Sequence, residues 1–190
     1  MSDADLRAAD DAALARSVVA RDETALAELY RRHGGPTLSL ARRVLADRVL
    51  AEEIVQEVFV RLWHAPERFD PERGSMRAWL CAQVHGRSVD LLRANTARRA
   101  REERDAFRTP AIDHDLELAV VELTEGEAVR RALGSLSDAE RQAIELAYFG
   151  GHTYREVAVL LAQPEGTIKS RIRSGLLRLR AALIDGGIDR

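Results

Sequence analysis

Apolar side chains recur at helical spacing along most of the chain, and no segment alternates apolar and polar residues between turn signals as a strand would. The clearest stripe lies in residues 48–64 and consists of Leu50, Ile54, Val55, Val58, Phe59, Leu62 and Trp63. Asp47 precedes this segment as a helix cap, and Pro66 follows it as a stop signal. The pattern predicts an all-α protein with one helix over residues 48–64 whose outer face is polar.

Weaker helical patterns flank this helix. Residues 10–19 are predicted to be weakly helical, and Asp22 is placed to cap a longer helix after them. We expect Gly34-Gly35-Pro36 to break or kink that longer helix, because glycine and proline both disfavour a helix interior. Ser75 is predicted to cap a further helix that runs to about Arg93.

The last third of the chain has the pattern of a helix-turn-helix. Two capping boxes start helices in this region: Ser137 with Glu140, and Thr153 with Glu156. Pro164 interrupts the second of these helices, and another helix is expected to begin near Glu165 or Gly166. The predicted inner faces are Val157, Ala158, Leu160 and Leu161 before the turn, and Ile168, Ile172, Leu176, Leu179 and Leu183 after it.

Charge divides the chain into segments. The net charge of −2 over 190 residues excludes a protein coated in positive charge, so any contact with nucleic acid must come from local patches. Residues 101–125 lose helical periodicity and hold 3 basic and 8 acidic side chains, which predicts an acidic linker. The predicted organisation is a disordered N-terminus (1–9), a helical domain (10–100), the linker (101–123), a second helical domain (124–185) and a tail (186–190).

Composition limits the cellular setting and the chemistry. The single cysteine excludes an intrachain disulfide, and no apolar run is long enough to span a bilayer, so a cytosolic protein is expected. Cys81 and His85 lie four residues apart, as metal ligands on one helix face do, but two ligands do not make a site. We predict no metal, no cofactor and no catalytic residue, because the chain lacks a glycine-rich phosphate loop and a nucleophile with a matching base.

Two kinds of charged face remain to be explained. The outer face of the 48–64 helix carries Glu52, Glu53, Gln56, Glu57 and Arg61. Its three carboxylates lack a partner cluster for catalysis, which leaves a solvated face or a protein-docking face as alternatives.

The last helix carries five cations, Lys169, Arg171, Arg173, Arg178 and Arg180, without an acid between Gly166 and Arg180. A cationic helix after a short turn is how a recognition helix is presented to the DNA major groove, although a solvated basic face is the alternative.

A second basic patch follows residue 75. Arg77, Arg87 and Arg93 lie on the helix there, and the aromatic side chains Phe69 and Trp79 lie beside them in the sequence. Arginines that hold phosphates and aromatic rings that stack on bases are typical of sites for unpaired nucleic acid. Trp79 is equally well explained as a core residue.

These motifs together resemble the extracytoplasmic-function (ECF) sigma factors, a group of the sigma-70 family of bacterial transcription initiation factors. The resemblance rests on Ala51 to Trp63, Phe69 to Leu80, Val89 to Arg93, Leu136 to Arg141 and Gly166 to Arg171, in this order. One departure is His85-Gly86, where relatives often carry Arg-Asn. The resemblance implies two helical domains, similar to sigma regions 2 and 4, that bind core RNA polymerase and span a promoter.

Particular residues receive roles from this resemblance. Docking on the β′ clamp helices of core polymerase is assigned to Glu52, Glu53, Gln56, Glu57 and Arg61. Recognition and melting of the minus-ten element, including its single-stranded form, is assigned to Phe69, Asp70, Arg73, Ser75, Arg77, Arg87, Asp90 and Arg93. Reading of the duplex minus-thirty-five element is assigned to Glu165, Thr167, Lys169, Ser170, Arg171 and Arg173.

The resemblance also implies further partners. These are the polymerase β flap and an anti-sigma factor that can hold the protein at the membrane without inserting it there. No small-molecule substrate is implied. The rival hypothesis is a stand-alone helix-turn-helix regulator that binds duplex DNA without polymerase.

Overall fold

All regular elements that the structure describes are helical. The structure is a computed structural model that describes residues 3–102 and 132–185, in two compact units, Met1–Arg98 and Arg99–Arg190. The prediction of an all-α protein is therefore confirmed. None of the helices within the described ranges is both long and apolar enough to cross a membrane. The linker predicted for residues 101–123, the helix start predicted at Thr124 and the tail predicted for residues 186–190 lie wholly or mostly outside the described residues.

The first unit contains five α-helices and two short 3-10 turns. They are α1 (Asp3–Ala8), α2 (Asp11–Val19), α3 (Glu23–Leu45), α4 (Arg48–His64), the turns Pro66–Arg68 and Pro71–Arg73, and α5 (Met76–Glu102). The predicted caps are confirmed: carboxylates of Asp22 and Asp47 accept backbone N–H bonds of 3.0 and 3.1 Å, and the Ser75 hydroxyl accepts one of 3.2 Å. Helix α5 continues beyond the predicted end at Arg93.

The core of this unit lies between α3, α4 and the first turns of α5. Its fully buried side chains include Leu29, Leu62, Met76 and Leu80. The ring of Tyr30 on α3 meets Phe59 on α4 edge-on, with 4.9 Å between the ring centroids. The apolar stripe predicted for α4 is largely buried, and α4 packs chiefly against α3.

Helix α3 is continuous through Gly34-Gly35-Pro36, so the expected break at this position is wrong. Proline in a helix interior costs about 3 kcal/mol relative to alanine. Side chains buried on both sides of the proline, Leu29 before it and Val44 after it, offset this cost. The Thr37 hydroxyl also donates to the carbonyl oxygens of His33 and Gly34, at 2.7 and 3.0 Å. Tertiary burial therefore overrides the local signal.

Residues 3–8 form helix α1, so the expected disorder of residues 1–9 is also wrong there. Leu6 is only 4% exposed and belongs to the core of the unit. The Arg32 guanidinium donates to the carbonyl oxygens of Leu6, Arg7 and Ala9 at 2.9–3.1 Å, and so caps the C-terminal end of α1. Local sequence patterns do not predict this helix, because the Arg32 side chain that stabilises it lies more than twenty residues away in the sequence.

The second unit is a smaller helical cluster. Residues 132–134 are helical, followed by α6 (Asp138–Ile144), a π-helical turn (Glu145–Phe149), α7 (Tyr154–Leu160) and α8 (Glu165–Asp185). Both predicted capping boxes are present, with the Glu140 and Glu156 carboxylates accepting the cap N–H at 3.0 and 2.7 Å. Helices α7 and α8 and the intervening turn form the predicted helix-turn-helix. Helix α8 begins at Glu165, as predicted from the position of Pro164.

Two predicted core positions of this unit are exposed. Leu160 is 56% exposed and Leu176 is 44% exposed, whereas Val157, Ile168 and Ile172 are buried as predicted. Leu160 is the last residue of the short helix α7, and at Leu176 the buried position is taken by its neighbour Gly175. The side chain of Leu183 lies outside the described residues.

Candidate nucleic-acid interface and docking face

The two 3-10 turns between α4 and α5 enclose one side of an open pocket of about 400 Å³. It is lined by Arg68, Phe69, Asp70, Arg73, Gly74, Ser75, Ala78 and Trp79. The loop closes at Gly74, whose φ of 148° is a conformation that favours glycine. The Asp70 carboxylate accepts the Glu72 N–H at 3.0 Å and so fixes the second turn. The sequence prediction for residues 69–75 thus falls on a preformed concave surface.

The pocket has an aromatic wall and a charged rim. Phe69 is buried, and its ring packs edge-on against Trp79 at a centroid distance of 6.0 Å. Trp79 is half-buried: it packs against the core, as one of the two alternatives predicted, and it also lines the pocket. Arg68 and Arg73 are exposed cations at the rim. An aromatic wall beside guanidinium groups is suited to a flat base attached to a phosphate.

Arg87 lies elsewhere on α5, where its guanidinium donates to Glu57 Oε1 on α4. The same carboxylate oxygen accepts Arg61 Nη2 at 2.9 Å. The hydrogen bond from Arg87 is the main cause that lowers the pKa of Glu57. Two side chains predicted for different surfaces, Arg87 for DNA and Glu57 for polymerase, therefore form one ion pair. Asp90 and Arg93 are exposed further along α5, while Arg77 is half-buried.

The outer face of α4 carries less uncompensated charge than the sequence predicted. Glu52 accepts Arg48 Nε at 2.7 Å, and Glu57 is held by two arginines. Among the described residues, Glu53 has no ion-pair partner, and neither Glu53 nor the adjacent exposed Gln56 is covered. The expected acidic face is thus a mixed face with one unpaired carboxylate.

Two apolar side chains that the sequence analysis missed flank this carboxylate. Val49 is 63% exposed and Val60 is 52% exposed. Val49, Glu53, Gln56 and Val60 are spaced by four, three and four residues, which places them on one stripe of α4. This spacing is present in the sequence, but the longer apolar stripe on the buried side of the helix gives a stronger signal. Exposed valines around a carboxylate and an amide suit a protein partner better than solvent.

Cys81 and His85 are spaced along α5 like a pair of metal ligands. In residues 3–102 and 132–185 no three His, Cys, Asp or Glu side chains are grouped so that they could hold a metal ion. Cys81 is half-buried, and burial raises the pKa of its thiol. Within the part of the chain that the structure describes, Cys81 and His85 thus gain no third ligand.

Helix α8 presents most of its predicted recognition residues to solvent. Glu165, Lys169, Ser170 and Arg173 are exposed, and Thr167 and Arg171 are half-buried. Lys169 Nζ lies 2.7 Å from Glu165 Oε1, and this contact lowers the pKa of Glu165.

Other cations of α8 are engaged within the unit. Arg171 Nη2 donates to Gln163 Oε1 at 3.4 Å, and Arg178 Nη1 lies 3.4 Å from Glu140 on α6. Arg178 therefore faces α6, apart from the first turns of α8 where the predicted recognition residues lie.

Comparisons with known proteins find both halves of the chain. The family model for Sigma-70 region 2 matches residues 29–98, and the model for Sigma-70 region 4 matches residues 132–181. The ECF RNA polymerase sigma factor SigK of Mycobacterium tuberculosis (strain H37Rv) is 40% identical over 173 residues, which cover 90% of this chain and 92% of that protein. SigK of Mycobacterium sp. (strain KMS) is 39% identical over 172 residues, covering 90% and 89%. Among solved structures, Rhodobacter sphaeroides SigE in complex with the anti-sigma ChrR is 32% identical, with 90% of this chain and 97% of that chain covered and a TM-score of 0.47.

Proposed function

This chain belongs to the ECF sigma factors of the sigma-70 family, and from that premise we propose which of its surfaces carries each step of initiation. It is an RNA polymerase sigma factor, whose partners are core polymerase and promoter DNA. We propose that residues 10–100 form the region 2-like domain and residues 124–185 the region 4-like domain. The assignment of function rests on the matches to both family regions and on relatives that are 39–40% identical over 90% of the chain.

The pocket at the start of α5 is the proposed site for an unpaired base of the minus-ten element. Extruding a base from a duplex costs a few kcal/mol. Stacking on one aromatic side chain returns about 1–3 kcal/mol per base. Trp79 supplies the accessible ring, and Arg68 and Arg73 at the rim are placed for the flanking phosphates. Phe69 acts beneath this surface by supporting Trp79, since its own ring is buried.

Asp70, Ser75, Arg77, Asp90 and Arg93 complete the proposed minus-ten surface. Asp70 and Ser75 shape the pocket and expose polar atoms at its rim. Asp90 and Arg93 are exposed further along α5, roughly 16–21 Å along the helix axis from Trp79, and are the proposed contacts for nucleotides beyond the pocket. Arg87 is a proposed contact only when its bond to Glu57 is exchanged for a phosphate.

The first turns of α8 are the proposed reader of the minus-thirty-five element. Residues at the start of a recognition helix reach base edges in the major groove. Lys169, Arg171 and Arg173 supply donors for guanine edges or phosphates, and Glu165, Thr167 and Ser170 add contacts at the helix start.

The stripe of α4 is the proposed docking face for the β′ clamp helices. Glu53 and Gln56 are its polar centre, and Val49 and Val60 its apolar flanks. Glu52, Glu57 and Arg61 lie beside this stripe and are held by ion pairs.

Further proposed partners are the β flap and an anti-sigma factor. We also propose that the protein acts in the bacterial cytoplasm, where polymerase and chromosome are found, and that it has no enzymatic activity of its own.

Run-off transcription with purified core polymerase on a pool of random promoter templates tests this function. We expect transcripts that start downstream of a recurring pair of elements, and none from core alone. Arg171→Ala should lower the dependence on the upstream element about tenfold or more without lowering core binding, since a bidentate base contact is worth about 1–3 kcal/mol. Specific duplex binding without core, combined with no transcription, would instead support the stand-alone regulator. Equal loss of core binding in the arginine variant would contradict the assignment of α8.

A further inference from the structure

A buried carboxylate in the second unit joins the helix-turn-helix to the helix before it. Glu140 on α6 is 6% exposed. Its Oε1 accepts the Ser174 hydroxyl of α8 at 2.7 Å, and its Oε2 accepts the Ser137 N–H and hydroxyl at 3.0 and 2.8 Å. These bonds, led by that of Ser174, lower the pKa of Glu140 to about 2, so the carboxylate is ionised at neutral pH. One charged group therefore holds both the start of α6 and the middle of α8.

The residue after Ser174 fixes how closely the two helices approach. A Cβ atom built on Gly175 would lie 2.7 Å from Ile144 Cδ1 and 3.3 Å from Glu140 Cβ. A side chain at position 175 would therefore require the end of Ile144 to shift and its neighbours Glu140 and Leu136 to give way slightly. The pair Ser174-Gly175 thus combines a directional hydrogen bond with a close helix contact.

This contact lies within one helical turn of Ser170, Arg171 and Arg173, the last of the proposed DNA-reading residues. Ser170 and Arg171 precede Ser174 by four and three positions, so they share its side of the helix or border on it. A shift or roll of α8 at Ser174 is transmitted to them through the rigid helix. Reading a base edge requires donors placed to within a fraction of an ångström, so such a shift weakens specific contacts more than phosphate contacts.

We infer that Glu140 and Ser174 are positioning residues for promoter recognition: their hydrogen bond sets the orientation of α8 in which the minus-thirty-five element is read. This inference rests on the proposed function of α8. It assigns to the hydroxyl of Ser174 an effect on sequence discrimination, beyond its effect on the stability of the unit.

The matched variants Ser174→Thr and Ser174→Val test it. Threonine and valine have the same shape and similar helix propensity, so the two variants differ in the hydroxyl alone. Full-length protein is assembled with core polymerase, and transcription is measured on a promoter selected for the native protein and on the same promoter with its minus-thirty-five element scrambled. The ratio of the two transcript yields is the readout, at a temperature where thermal melting shows both variants folded.

We expect Ser174→Thr to keep the native ratio and Ser174→Val to lower it about three- to tenfold, the fold-change that corresponds to the net contribution of one ordinary hydrogen bond. Equal ratios for the two variants, with or without a difference in melting temperature, would overturn the inference and leave the bond a purely stabilising one. Arg171→Ala in the same assay separates the two hypotheses. If it lowers the ratio while valine does not, only the positioning inference fails; if it leaves the ratio unchanged, the proposed role of α8 fails and the inference fails with it.

Discussion

Reversing the charge of Glu57 should both weaken docking and destabilise the first unit, whereas reversing that of Glu53 should affect docking alone. Glu57 accepts from Arg61 and Arg87, while Glu53 has no ion-pair partner among the described residues. A lysine at position 57 removes two ion pairs and places a third cation beside two arginines. Glu53→Lys makes the same change of charge on the same helix without either effect.

The magnitude follows from the exposure of these groups. The carboxylate of Glu57 is 37% exposed, so solvent screens its pairs and each contributes about 0.2–1 kcal/mol. Adding a repulsion of similar size gives a loss of about 2 kcal/mol for Glu57→Lys. For a unit of this length that corresponds to a fall of about 10 °C in melting temperature. Glu53→Lys should stay within about 0.5 kcal/mol of the native protein.

Tryptophan fluorescence gives the stability readout, because both tryptophans of the chain, Trp63 and Trp79, lie in the first unit. Core binding is measured by titration at a temperature where each variant is folded. Both variants should bind core about tenfold more weakly or worse, and Glu67→Lys, an exposed charge reversal outside α4, is the control.

Two results would refute the reasoning. If Glu53→Lys bound core polymerase as tightly as the native protein does, the proposed docking role of the α4 stripe would be wrong. An unchanged melting temperature for Glu57→Lys would show that its ion pairs contribute nothing to the fold.

Three further predictions concern the fold and the pocket. Gly74→Ala should lower the free energy of unfolding by about 1–3 kcal/mol, because the φ of 148° at this position disfavours any residue with a side chain, although no atom crowds the site. The variant should also slow promoter opening, measured by permanganate reactivity. A native rate of opening would show that the loop tolerates another conformation. Glu28 has its pKa lowered to about 2 by hydrogen bonds from Arg31 and Arg32, so its contribution to stability is complete above the ordinary pKa of 4.5 and is lost as the pH falls towards 2. Glu28→Gln should therefore flatten the decline of stability over that range in urea unfolding followed by tryptophan fluorescence, and an equally steep decline would contradict the assignment. Gly86→Ala should raise the stability of the first unit by about 1 kcal/mol, since the glycine is exposed in the middle of α5 with space for a Cβ. A lower melting temperature of the variant would mean that this position needs the backbone freedom of glycine.

Local signals predicted helix starts well because a cap acts over two or three residues. The carboxylates of Asp22 and Asp47 and the two capping boxes were found from the sequence, since the donor and acceptor of each lie within one turn. The continuity of α3 through Pro36 was not found, because the compensating burial is supplied by other helices. Helix α1 was missed for the same reason.

The surfaces were predicted as sets of residues, but their internal pairing was not. Periodicity of 3.6 places a side chain on a face only to within about one residue, so Leu176 was assigned to the position that Gly175 occupies. Side chains that meet across thirty residues, such as Glu57 and Arg87, carry no signal in a single sequence. The aromatic and charged lining of the pocket was predictable, since all its members come from one short segment.

The Glu57–Arg87 pair has a consequence for how this protein can evolve. A substitution of Glu57 on the proposed docking face leaves the Arg87 cation on α5 without this partner. A substitution of Arg87, a proposed promoter contact, leaves the Glu57 carboxylate with Arg61 alone. Selection that acts on one surface therefore also affects the other, and positions 57 and 87 should change together across related sequences. If the proposed roles of Glu57 and Arg87 hold, promoter preference and polymerase docking are inherited as linked traits, although different helices carry them.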